Sequence, residues 1–133
     1  MSKSANWYAM EDYPRIIANL FQTFGLDFNS VEMVKGLSTD LEIVSQFSSR
    51  EFDLVYIDGD HSFDAVICDL EKYSKLVRAG GFLVMDDASC FLPGTKFWKG
   101  HVSVSKACDG IEVRGFENVL NMGHNRVYRM GNR

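Results

Sequence analysis

The sequence predicts an α/β fold: a mostly parallel sheet carrying helices, closed by an antiparallel hairpin at its C-terminal end. Three observations predict it. Strand-like apolar runs alternate with amphipathic segments from Trp7 to Met85, and such alternation builds parallel sheets covered by helices on both sides. Two consecutive strand candidates end in acids: Phe52–Ile57 runs into Asp58-Gly59-Asp60-His61, and Phe82–Met85 runs into Asp86-Asp87. In an open α/β sheet the ligand crevice lies outside the carboxyl ends of the strands, so acids gathered there are placed for chemistry. Beyond Asp109-Gly110 the pattern changes to two strand-like runs, Ile111–Val119 and Asn125–Met130. Asn121-Met122-Gly123-His124 supplies turn chemistry between them.

The elements follow in order. Trp7-Tyr8-Ala9-Met10 reads as a brief strand ending at Glu11-Asp12. Pro14 suits a first helical position, and Ile16, Ile17, Leu20, Phe21 and Phe24 recur at helical spacing before Gly25, so the pattern predicts a helix over about Pro14–Phe24. Val31–Val34 reads as a short strand ending at Lys35-Gly36. Thr39 with Glu42 fits a capping box, with Leu41, Val44 and Phe47 on the buried side of a short helix. Phe52–Ile57 is nearly all apolar, as in a central parallel strand buried on both faces. Ser62 caps the next helix, with Asp64 in its first turn. Phe63, Val66, Ile67, Leu70, Tyr73 and Val77 form one apolar stripe, and Ala79-Gly80-Gly81 stops that helix. Ala88 to about Phe97 is a loop containing Pro93-Gly94. Val102–Ser105 alternates like a strand, yet its neighbours favour a short helix ending before Asp109-Gly110.

Composition narrows the function. A chain of 133 residues is one domain by length, with an ordinary globular balance of 46% apolar and 24% charged residues. Its net charge of −4 leaves no basic stripe for phosphate, which argues against nucleic acid or an anionic membrane. Cys68, Cys90 and Cys108 are odd in number and lack CxxC spacing, so a disulfide framework or thiolate zinc site is not expected. No signal-peptide pattern or membrane-spanning run occurs, and the expected setting is the cytoplasm.

At these residues a family resemblance is visible. Asn6 to Met130 resembles the later part of a class I S-adenosylmethionine-dependent methyltransferase, with its Rossmann-like sheet. Phe52 to Ser62, with its Asp-Gly-x-His ending, looks like that fold's fourth strand. Leu76 to Asp87 looks like the turn into the fifth, and the terminal hairpin is similar to the family's reversed last strand. Val31–Ser38 resembles the third strand and its adenine-side loop, and Trp7–Glu11 the second. The family's first strand and glycine-rich turn should precede Trp7, and Met1–Asn6 contains no glycine. The chain therefore resembles a single methyltransferase domain, 1–133, lacking its N-terminal βα unit.

What the resemblance implies can be set beside what the residues imply alone. Three carboxylates at adjacent strand ends repel unless a cation or proton sits among them. Hard oxygen ligands suit Mg²⁺, although acids also end strands for solubility. The resemblance to metal-dependent O-methyltransferases implies Asp58, Asp86 and Asp87 as metal ligands. It implies His61 as the general base that deprotonates a hydroxyl, and Glu11, Ser38 and Asp58 as contacts to the S-adenosylmethionine cofactor. His61 could equally help to start a helix, Ser38 could cap one, and Asp60 reads as a helix-start residue. Phe91, Trp98 and the Pro93-Gly94 loop could form a substrate lid. His101 and His124 show no ligand spacing and read as surface residues. The implied acceptor is a hydroxyl of a small molecule or sugar.

Two other readings stay open. One is a non-catalytic α/β module that pairs as a homodimer through a strand edge left open by the missing unit. The other is an aspartate-nucleophile phosphohydrolase, disfavoured because only one helix separates Asp58 from Asp86-Asp87.

Overall fold

The computed structural model describes residues 12–93 and 98–132. The expected strand Trp7–Met10, Glu11, and Gly94 with the three residues after it lie outside the described residues. The chain divides into two compact units, one running to Lys35 and one beginning at Gly36.

The first unit holds helix α1 (Tyr13–Thr23). Asp12 starts it, its Oδ1 accepting the Arg15 N–H at 3.2 Å, and Pro14 occupies the first turn, where its missing N–H costs nothing. Phe21 packs edge-on against Phe28, ring centroids 5.7 Å apart, in a 3₁₀ turn at Phe28–Ser30. Val31–Val34, expected as a strand, joins no sheet among the described residues, although Val31 has extended dihedrals. An extended run becomes a strand only through a partner's ladder, and none of the described strands supplies one.

The second unit begins with helix α2 (Leu41–Ser45) and contains strand β1 (Phe52–Ile57), helix α3 (Phe63–Tyr73), strand β2 (Val77–Met85), helix α4 (Val102–Ala107), strand β3 (Phe116–Met122) and strand β4 (Asn125–Met130). The sheet order is β1-β2-β4-β3. β1 runs parallel to β2, with Leu54 opposite Phe82 and Ile57 opposite Met85. β2–β4 and β3–β4 are antiparallel. The α/β sheet expected is there with its reversed terminal hairpin, and among the described residues it is mixed, with one parallel pair and two antiparallel ones. α4 forms where the alternating pattern had left helix and strand in competition.

Ile57, Leu83, Met85, Phe116 and Tyr128 from the sheet meet Val66 and Leu70 of α3 and Val104, Ala107 and Cys108 at α4 in one core. Each such large side chain taken from water contributes about 1.5–3 kcal/mol.

Four details differ from the sequence reading. Among the described residues β1 lies at the sheet edge rather than in its centre, and Leu54 and Tyr56 are 53% and 52% exposed. An apolar composition reports what a strand can bury, not what is present to cover it. Ala79-Gly80-Gly81 does not end a helix. α3 stops at Tyr73, and the glycines form a bulge inside β2, where the register jumps from Phe52–Val77 to Leu54–Phe82. Thr39 does not cap α2. Asp40 holds that position, and Leu41 is 79% exposed. β3 begins at Phe116 because Ile111–Arg114 closes into a 3₁₀ turn.

Candidate functional site

The carboxyl ends of β1 and β2 bring together most of the residues singled out from sequence. β1 delivers Asp58 and β2 delivers Asp86 and Asp87, while the loop into α3 carries His61. Asp60 Oδ1 accepts the Ser62 N–H at 2.6 Å, which fixes that loop, and the Ser62 hydroxyl first, with this N–H second, holds the Asp60 carboxyl below its usual range. Asp60 is thus a helix-start residue. Ser103 of α4 donates its hydroxyl to the His61 carbonyl and pins the same loop from the other side.

The acids divide into two environments. Asp58 faces Asp86: burial first, then the Asp86 and Asp87 charges, push the Asp58 carboxyl above its usual value, and His61 partly offsets this. Nearby Tyr56 is pushed up to about 12, by burial first and then by Asp86. Asp86 Oδ1 is buried and lacks a hydrogen bond. His124 Nε2 lies 3.1 Å from it, close enough for an ion pair. Two neighbouring carboxyls, one with a buried oxygen that accepts no hydrogen bond, are an oxygen donor set that fits a hard cation.

Asp87 turns elsewhere. It is the one non-glycine residue with positive φ (52°) among the described residues, and it is 9% exposed. Left-handed backbone at a non-glycine position costs energy and marks a place held by its surroundings. Its Oδ2 lies 3.4 Å from His61 Nε2 and 3.8 Å from His101 Nε2, and its Oδ1 accepts the Trp98 indole N–H at 3.1 Å. The two imidazoles stack with centroids 4.2 Å apart. Asp58, Asp86 and Asp87 therefore do not close into a single three-ligand set. The sets whose ligand atoms lie within 4.8 Å of one another are His61, Asp87 and His101, and Asp86, Asp87 and His124.

His101 and His124, expected at the surface, are half-buried and belong to this rim. Residues 98–101 form a strap across Asp87. Gly100 bridges Ala88 in antiparallel fashion, the His101 N–H donates to the Asp87 carbonyl at 2.9 Å, and the Ser89 N–H donates to the Lys99 carbonyl at 3.0 Å. Gly100 has φ +102°, and any Cβ there would overlap the Asp87 backbone. His124 sits in the two-residue turn between β3 and β4, where Gly123 (φ +62°) takes the position that favours glycine. Its carbonyl accepts the Ala88 N–H at 2.8 Å. Neither histidine has a spacing signal. Only the glycines beside them, Gly100 and Gly123, hinted at tight backbone.

Ser38 and Asp58, both expected at the cofactor, line one cleft of about 220 Å³ with Tyr56, Asp69 and Tyr73. The Ser38 carbonyl accepts the Tyr73 hydroxyl at 2.8 Å, and the Thr39 carbonyl accepts Lys72 Nζ at 2.6 Å, so α3 holds this loop. Asp69 is buried with Oδ1 unbonded. A second, wider cleft of about 820 Å³ opens beside Trp98, His101, Phe63 and Cys90. Glu11 lies outside the described residues.

The family model described as "Methyltransferase domain" matches residues 3–88. The chain belongs to that methyltransferase family. The chain is 35% identical over 66 residues to an uncharacterised protein of Acanthamoeba polyphaga mimivirus, a match covering 48% of this chain and 30% of the viral protein. A solved structure from Corynebacterium glutamicum superposes with TM-score 0.62 at 20% identity, over 90% of this chain and 56% of that one. The MycE methyltransferase of the mycinamycin biosynthetic pathway, solved with Mg and SAH, superposes with TM-score 0.51 at 20% identity, over 74% of this chain and 31% of its own. At such identities the likeness establishes the Rossmann-like methyltransferase fold, and the chain spans little more than half of the Corynebacterium protein. No helix among the described residues is long and apolar enough to cross a membrane.

Proposed function

We propose that this chain transfers a methyl group from S-adenosylmethionine to a hydroxyl of a small molecule or sugar, with Mg²⁺ held by Asp58 and Asp86. The observation that carries the reading is His61 Nε2 held 3.4 Å from nearly buried Asp87 on the rim that also presents Asp58 and Asp86. An imidazole oriented by a carboxylate beside a cation site is the equipment for deprotonating an alcohol.

When bound, S-adenosylmethionine supplies a methyl group activated on sulfonium, and Mg²⁺ lowers the pKa of the hydroxyl it touches. The chain's own residues do the rest. Asp87 faces Nε2 of His61 and favours the proton there, which leaves the Nδ1 lone pair to accept the hydroxyl proton. Asp58 lines the cofactor cleft and also faces Asp86, so one side chain couples cofactor placement to cation binding. Glu11 is assigned to the cofactor ribose and Ser38 to the adenine side. Trp98 walls the wider cleft, a suitable place for the acceptor. The free cysteines fit a reducing cytoplasm.

Calorimetric titration of the full chain with S-adenosylhomocysteine, with and without Mg²⁺, tests the reading. One site is expected, and a folded chain that binds none overturns it. Asp58→Ala should abolish metal-dependent turnover, and unchanged turnover would remove Asp58 from the mechanism.

The open edge of β1 favours a second reading, a dimerising module without catalysis. Leu54 and Tyr56 are exposed, and β1 pairs on one side only among the described residues. A dimer that binds no cofactor would favour this alternative.

A further inference from the structure

The three histidines of the rim change which ions it can select. Mg²⁺ prefers oxygen, whereas imidazole suits zinc, cobalt and other late first-row cations. Asp87 faces two imidazoles as well as neighbouring Asp86. The geometry points to a second cation site made of His61 Nε2, Asp87 Oδ2 and His101 Nε2, taking a borderline divalent ion such as Zn²⁺ and distinct from the carboxylate site for Mg²⁺.

Four observations carry this. The His61–Asp87 separation of 3.4 Å matches the edge of a tetrahedron with metal–ligand bonds of about 2.05 Å, which is roughly 3.35 Å. The His101–Asp87 separation of 3.8 Å is slightly longer, and all three ligand atoms lie within 4.8 Å of one another. A shared ion draws these edges in and parts the stacked rings. The ligands are also held from outside, as built metal sites require: Trp98 donates to the other Asp87 oxygen, and Ser103 holds the His61 backbone. Finally, the strap that delivers His101 demands a left-handed Asp87 and a left-handed Gly100, and it places the imidazole against the carboxylate through two backbone hydrogen bonds. Three protein ligands leave a fourth position for a water or a substrate atom, and His101 also lines the wider cleft.

The site goes beyond the methyl-transfer reading and stands without it. Where both hold, a zinc ion on His61 makes its imidazole a poorer base, so the same residue is either ligand or base.

The test is a Co²⁺ titration of the full chain in excess Mg²⁺, followed by visible absorption. One equivalent should bind. His101→Gln should weaken binding at least about tenfold, the lower bound for losing even an outer partner of a ligand. A chain that binds no Co²⁺, or a His101→Gln protein that binds as wild type does, overturns the proposal. Imidazole ¹⁵N spectra of the wild-type chain with Zn²⁺ give an answer that needs no variant. Nε2 of His61 and His101 should shift together, and a shift confined to His124, or none, overturns the site. S-adenosylhomocysteine binding in metal-free buffer is measured separately, so failure here is distinguishable from failure of the methyl-transfer reading.

Discussion

Gly100→Ala should be among the most damaging single-methyl additions to this chain. At φ +102° an L side chain is strained, which costs about 1–2 kcal/mol. The new Cβ overlaps the carbonyl carbon and oxygen of Asp87, and backbone gives way less easily than a flexible side chain. Overpacking of this kind costs roughly 1–3 kcal/mol. If the strap retreats, the His101–Asp87 and Ser89–Lys99 backbone hydrogen bonds weaken, at about 1 kcal/mol each. Alanine's smaller unfolded-state entropy returns only about 0.4–1 kcal/mol. The net expectation is a loss of about 4 kcal/mol, in the range that only a few mechanisms reach. Gly110→Ala is the control. It shares the left-handed backbone (φ +76°), yet its Cβ would meet nothing within 4 Å, so it should lose only about 1 kcal/mol. Urea denaturation followed by far-ultraviolet circular dichroism compares the two. Equal losses, within about 0.5 kcal/mol, would refute the claim that the strap is wedged against Asp87.

Three further outcomes follow from the same structure. Asp58 holds its proton more tightly than usual, so its contribution to stability is present at acid pH and lost as pH rises through its folded value. Without metal, Asp58→Asn should therefore melt higher than wild type at neutral pH and show no thermal shift on adding Mg²⁺; a retained shift would place the ion elsewhere. Burial raises the Cys108 thiol to about 11, so stability should be intact below pH 9 and fall by roughly 2 kcal/mol as pH climbs through 11, with Cys108→Ala flattening the slope in pH-dependent denaturation. If the β1 edge pairs two copies, Leu54→Lys should shift the sedimentation coefficient to that of a monomer; an unchanged association state would rule that surface out.

The sequence carried the parts of this molecule that periodicity and turn chemistry encode. α1, the start of α3, β4 and the acids at the two strand ends lie where pattern placed them. Glycine was legible as punctuation but ambiguous in kind: Gly80-Gly81 read as a stop and proved to be a bulge within a strand. Burial was less legible, because β1 has the composition of a central strand and the exposure of an edge one. The rim histidines were the least visible. His61, His101 and His124 are far apart in sequence, and only the strap and the hairpin turn bring them to Asp86 and Asp87. Long-range backbone pairing leaves no local periodicity from which such a meeting could be read.

The hairpin turn has a consequence for how the molecule is made. His124 fastens the Ala88 amide through its carbonyl and reaches Asp86 with its ring, so residues separated by about forty positions of chain complete one another. During synthesis, β1 and β2 leave the ribosome well before that fastening exists. A nascent chain halted before residue 124 would carry Asp58, Asp86 and Asp87 and still lack the turn that frames them, so binding competence should not arrive before that turn is made.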